Sequence, residues 1–128
     1  MITEDYVSFE TAKLLKKKGF EGVCSKFYMP DGNIRWKYGH YHDFDIRERI
    51  ECPTFQMAMK WLRENFNINP VPYALPFGWA FDVFDLSNRD ITGCKKLFSM
   101  DLPSKLECYN SYEEVCEAAI KYCVKNLI

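Results

Sequence analysis

A chain of 128 residues with 17 basic and 18 acidic side chains has a formal charge of −1, so no long-range field draws it onto a phosphate backbone or an anionic membrane. The length suits one domain, residues 1–128, and an aromatic content of 16% supplies large buried area without disulfides or metal. No stretch approaches the ~20 apolar residues that span a bilayer. The opening Met1-Ile2-Thr3-Glu4-Asp5-Tyr6 lacks the basic and apolar regions of a secretory signal, so a cytoplasmic protein is expected.

The first helix is written at both ends. Ser8 is a good N-cap, and Gly19 is placed to take the left-handed position after the last turn, with Phe20 and Leu15 as the apolar pair of a Schellman ending. Lys16, Lys17 and Lys18 then complement the C-terminal end of the helix dipole. A hairpin follows: Val23 to Met29 is a β-capable run, Pro30-Asp31-Gly32-Asn33 is turn chemistry, and Ile34 to Tyr41 alternates apolar with basic residues. That alternation places Ile34, Trp36 and Tyr38 on a core face and leaves Arg35 and Lys37 solvated.

Thr54 caps a second helix whose apolar face runs through Phe55, Ala58, Trp61, Leu62 and Phe66, with Asn65 in the place Gly19 holds in the first. Pro70, Pro72 and Pro76 then punctuate a loop, Gly78 to Leu86 reads as a strand apolar on both sides, Ser87-Asn88-Arg89-Asp90 as a turn, and Ile91 to Met100 as a last strand. Ser111-Tyr112-Glu113-Glu114 is a capping box that opens a third helix to about Asn126. The order α-β-β-α-β-β-α predicts an α+β domain, an antiparallel sheet of about four strands with three helices packed mainly on one face. The segment 43–53 is left unassigned.

Tyr6-Val7-Ser8-Phe9-Glu10-Thr11-Ala12-Lys13-Leu14-Leu15-Lys16, Cys52-Pro53-Thr54 with Met57-Ala58-Met59-Lys60-Trp61-Leu62-Arg63-Glu64, and the stretch from Ser111 to Ile128 resemble a family of small proteins from gut Bacteroides genomes and their phages or mobile elements. The likeness covers the helices well and the strands poorly. It implies no activity, and it implies a variable sheet on a common helical frame, which suits a binding scaffold or accessory protein.

Six cysteines stand at positions 24, 52, 94, 108, 116 and 123 with no CxxC pair among them. In a reducing compartment they read as small core hydrophobes. His40-Tyr41-His42-Asp43-Phe44-Asp45 is the densest run of potential metal ligands, but two imidazoles with no third histidine fall short of a catalytic zinc site. Arg35-Trp36-Lys37-Tyr38 interleaves cations with rings, a pattern that can stack bases and neutralise phosphates. The Pro70 to Trp79 stretch adds Tyr73 and Trp79 as candidate contacts. Asp82 and Asp85, three apart on a strand, face opposite sides and cannot act jointly. No nucleophile elbow or phosphate-cradling glycine loop is present.

The leading expectation is a non-enzymatic protein-interaction module that uses its sheet edge or its proline and aromatic loop, with no cofactor and no metal. The alternatives are a small nucleic-acid or nucleotide binder at Arg35 and Lys37, and a metal-dependent hydrolase at His40 and His42. A protein partner is expected ahead of nucleic acid, and a membrane is not.

Overall fold

A computed structural model describes residues 4–37, 48–101 and 103–128. In chain order it has α1 (Phe9–Lys17), β1 (Lys26–Tyr28), β2 (Ile34–Trp36), β3 (Ile50–Glu51), α2 (Phe55–Phe66), β4 (Ile68–Leu75), β5 (Gly78–Asp90), β6 (Gly93–Ser99) and α3 (Tyr112–Asn126). The fold is α+β, but the strands do not make one sheet of about four. Among the described residues they form two antiparallel sheets of three strands, ordered β2-β1-β3 and β4-β5-β6. β2 and β3 are only three and two residues long, while β4, β5 and β6 pair consecutively through two tight turns.

The helices are the layer common to both sheets. α1 packs on β3, α2 on β4, and α3 touches α1, α2, β4 and β5. Leu15 of α1, Leu62 of α2, Val83 of β5 and Val115, Ile120 and Val124 of α3 are fully buried in one cluster. A buried aliphatic side chain of this size contributes about 1.5–3 kcal/mol.

The caps of α1 follow from local chemistry. Thr11 N donates to Ser8 Oγ at 3.2 Å, Phe20 N donates to Leu15 O at 3.0 Å, and Gly19 N donates to Lys16 O at 3.1 Å, with Gly19 at φ +92°. This is the full Schellman pair of bonds, and it needs a residue that tolerates the left-handed region. In α2 the left-handed residue is Asn67, at φ 56°, and not Asn65. Asn65 stays helical and donates its side-chain amide to Trp61 O, so α2 gains an extra half turn and ends against Ile68. Ser111 caps α3 by accepting from Glu114 N, while the Glu114 carboxylate accepts from Asn110 N, one residue outside the usual box partner.

Two strand assignments change. Pro70 and Pro72 lie inside β4, paired with Val83 and Phe81, and only Pro76-Phe77 forms the turn to β5. β4 is an edge strand, and two prolines two apart share one side, so both missing N–H groups face away from β5. The outer edge of β4 is therefore short of donors and poorly suited to pairing with another strand. Ser87-Asn88-Arg89-Asp90 belongs to β5, not to a turn. Asp85 accepts from Ser87 N and Oγ, which sets an irregularity between Asp85 and Arg89, and the reversal comes at Ile91-Thr92.

The second strand of the first hairpin does not bury its expected core face. The register sets Trp36 opposite Lys26 and Arg35 opposite Phe27. Opposed residues in an antiparallel pair share a face, so Ile34 lies on the side of Tyr28 and Ile50, where Ile50 is in the core cluster and Tyr28 packs against it. Among the described residues β2 is an outer strand, and all three of its residues are exposed, Trp36 at 42% and Ile34 at 41%.

Candidate binding site

The sequence-predicted site residues fall into separate groups. Arg35 is exposed on β2 and its guanidinium donates to Ile34 O. The Lys26 ammonium lies over Trp36 at 4.1 Å and over Tyr6 at 3.9 Å, so a cation already occupies these rings. Lys37 is half-buried and paired with Glu51. Tyr38, His40 and His42 lie outside the described residues. On the other sheet, Trp79 packs edge-on against Tyr112 at 5.3 Å, and Tyr73 is half-buried on β4. Burial, followed by the Asp82 carboxylate, pushes the Tyr73 phenol up.

The four buried thiols are poor nucleophiles. Cys24, Cys52, Cys116 and Cys123 are buried, and Cys94 and Cys108 are half-buried, with all six free. Burial pushes the Cys24 and Cys123 thiols up to about 12 and raises Cys52 and Cys116 as well. At neutral pH they stay protonated, and the thiolate is the reactive form. Among the described residues no His, Cys, Asp and Glu group of three or more is placed to hold a metal ion, and no helix is long and apolar enough to cross a membrane.

What the structure does assemble is a pair of open grooves along α3. One, of about 670 Å³, is walled by Phe81, Phe98, Tyr109 and Tyr122, with Lys121 and Lys125 on its rim. Its rings are mutually packed, with Phe98 and Tyr122 centroids 4.2 Å apart and Phe81 and Phe98 5.1 Å apart. The second, of about 580 Å³, is walled by Tyr6, Tyr28, Phe55 and Tyr109, with Glu113, Glu114 and Glu117 beside them. Tyr109, Ala118 and Lys121 belong to both grooves and form the ridge between them. The small side chain of Ala118 keeps that ridge low.

Tyr109 reaches this position through a backbone bridge. Trp79 N donates to Tyr109 O at 2.8 Å and Tyr109 N donates to Trp79 O at 2.9 Å, which fastens the segment before α3 to the start of β5. A Cβ at Gly78 would stand 2.8 Å from Tyr109 O, so only glycine permits this approach.

Electrostatics distinguish the two ends. Glu113, Glu117, Lys121 and Lys125 are spaced four apart on α3 and so form one stripe, acidic in its first half and basic in its second. The arrangement suits the helix dipole and sets opposite charge at the two ends of the stripe, with Glu107 also lining the first groove. Lys121 donates to Glu10 at 2.7 Å, and this bond, with the ammonium charge, holds Glu10 below its ordinary value. Glu117 accepts from Ser8 N, Ser8 Oγ and Thr11 Oγ1, which ties the start of α1 to α3.

Comparison with protein-family models, with curated proteins and with solved structures finds no match. The site has to be read from its own geometry. Sequence reasoning missed it because Tyr122 and Phe55 read as plain core and Tyr109 sits in an irregular segment. The charge stripe at spacing four was the available signal.

Proposed function

We propose that the protein is a non-catalytic interaction module that takes a short extended segment of a partner protein across the two grooves flanking Tyr109. The observation that carries this reading is the continuity of the grooves: two aromatic-walled clefts of about 670 and 580 Å³ share one low ridge at Ala118. Each falls within the ~300–1,000 Å³ typical of ligand sites. Aromatic side chains are the preferred anchors of protein interfaces, since they present much rigid area for few rotatable bonds. Opposite charge at the two ends would fix the direction in which a segment lies. The prolines of β4 argue against the alternative of strand addition at that edge. An accessory protein of a phage or mobile element would fit such a role.

Selection from a random peptide library on the immobilised protein should enrich sequences that lose binding to an Ala118→Arg variant, in which the ridge is raised. No enrichment, or enrichment indifferent to Ala118→Arg, would refute the reading.

A second reading is favoured by one feature, the exposure of Trp36 beside Arg35 and Lys26, which supports weak contact with single-stranded nucleic acid. Binding of a labelled oligonucleotide should then weaken steeply with added salt and disappear in Trp36→Ala.

A further inference from the structure

We propose that the groove walled by Tyr6, Tyr28 and Tyr109 selects an arginine side chain of the bound partner segment. The proposal rests on the interaction-module reading and adds the chemistry of one of its contacts.

The groove has two properties that belong together only for a ligand with an apolar stem and a cationic head. Its walls include the rings of Tyr28, Phe55 and Tyr109 and the methyl of Ala118, which suit methylene groups, and a ring face attracts a cation placed over it, as the Lys26 ammonium 3.9 Å over Tyr6 shows. Its rim carries carboxylates with unused capacity. Glu113 makes no hydrogen bond or ion pair among the described residues. Glu114 commits Oε2 to Asn110 N, leaving Oε1 unused among the described residues. Among the described residues Lys121 is the one cation in the lining, with its ammonium 2.7 Å from Glu10, and Lys26 reaches only the Tyr6 end. An anionic head would meet repulsion there and a neutral donor would make the weaker, uncharged hydrogen bond, whereas a cation is complementary.

Arginine fits better than lysine for reasons of geometry and hydration. Its planar fork can engage a carboxylate through two parallel bonds while the plane stacks on a tyrosine ring, and it is less strongly hydrated than an ammonium. Glu117 serves a different purpose, because its oxygens already accept from Ser8 and Thr11. Glu113 and Glu114 are therefore the recognition pair, and Glu117 is the fastening behind them.

The test uses three acetylated, amidated pentapeptides, Gly-Gly-X-Gly-Gly, in which X is arginine, its uncharged isostere citrulline, or glutamate, titrated into the ¹⁵N-labelled full chain. The arginine peptide should shift amides around Tyr6, Tyr109 and Glu113. It should bind roughly five- to tenfold more tightly than the citrulline peptide, the ratio expected when a charge-assisted bond is replaced by a neutral one. Glu113→Gln should remove most of that preference, and Glu114→Gln, which keeps an acceptor for Asn110 N, should reduce it without loss of folding. Equal binding of arginine and citrulline at the groove would overturn the arginine assignment while leaving the interaction module intact. Shifts mapped elsewhere, tighter binding of the glutamate peptide, or no shifts at all would also overturn it. The library selection against Ala118→Arg answers separately for the module.

Discussion

Replacing Glu117 should show whether the carboxylate behind the acidic groove holds the helical frame together. Thr11 is fully buried, and its hydroxyl donates to Glu117 Oε1 at 2.6 Å; Ser8 donates to the same carboxylate through both its hydroxyl and its N–H. A hydrogen bond to a charged group contributes about 1.5–3 kcal/mol, and stranding a buried donor costs about 1–3 kcal/mol. The bonds share one carboxylate and cannot simply be added, so Glu117→Ala should cost about 3 kcal/mol. Glu117→Gln keeps one acceptor oxygen and should cost about half as much. Thr11→Val removes one donor without changing the shape, and a double-mutant cycle with Glu117→Gln should return a coupling of about 1 kcal/mol. Urea denaturation at neutral pH supplies the values, with the slope of the transition unchanged. A cost below about 1 kcal/mol for Glu117→Ala would place the contact among exposed ion pairs and refute the claim that it joins α1 to α3.

Two further outcomes follow from the same packing. Because the Cys24 and Cys123 thiols are raised by burial to about 12 from an ordinary 9.0, the native state keeps protons that the unfolded chain releases above pH 9. Their contribution is thus intact below that pH and falls between 9 and about 12, by about 1.4 kcal/mol per pH unit for each thiol. Urea midpoints measured from pH 8 to 10 should drop accordingly and drop less in Cys123→Ala, and a flat profile would contradict the burial argument. Gly78→Ala places a methyl 2.8 Å from Tyr109 O, a backbone atom that cannot swing aside, so it should cost about 1–3 kcal/mol. Hydrogen exchange should show the Tyr109 amide losing protection, and unchanged protection would mean that the bridge to Trp79 does not depend on glycine.

The parts of the fold legible in the sequence are those decided within a few residues. Ser8, Gly19 and Ser111 act on backbone groups close along the chain, so the ends of α1 and the start of α3 could be placed from residue types alone. Misreadings occurred where a distant partner decides. Trp36 alternates correctly along its own strand, but its burial depends on whether that strand is covered, and among the described residues β2 is an outer strand exposed throughout. Pro70 and Pro72 signal a loop unless the strand lies at an edge with its nitrogens outward, and edge position is a property of the sheet. Asn65 and Asn67 are both acceptable left-handed caps, and the choice is settled by where Ile68 must enter β4 opposite Asp85.

The grooves were illegible for the same reason, and their construction suggests how such a surface can change without loss of the fold. Tyr109 is the one ring common to both, and it comes from a segment outside the helices and named strands, held by a two-bond bridge to Trp79. The residues that hold α1 on α3, Ser8, Thr11 and Glu117, lie behind the acidic rim, whereas Glu113 and Lys125 stand exposed on the stripe. Substitution at the exposed positions alters charge at the mouth of a groove and touches no buried partner, so its cost to stability should be within about 0.5 kcal/mol. Substitution at Glu117 alters the same groove and unfastens two helices. Specificity and stability are therefore carried by neighbouring glutamates one helical turn apart, and Glu113→Gln and Glu117→Gln should separate them: the first changing ligand preference at constant stability, the second lowering stability.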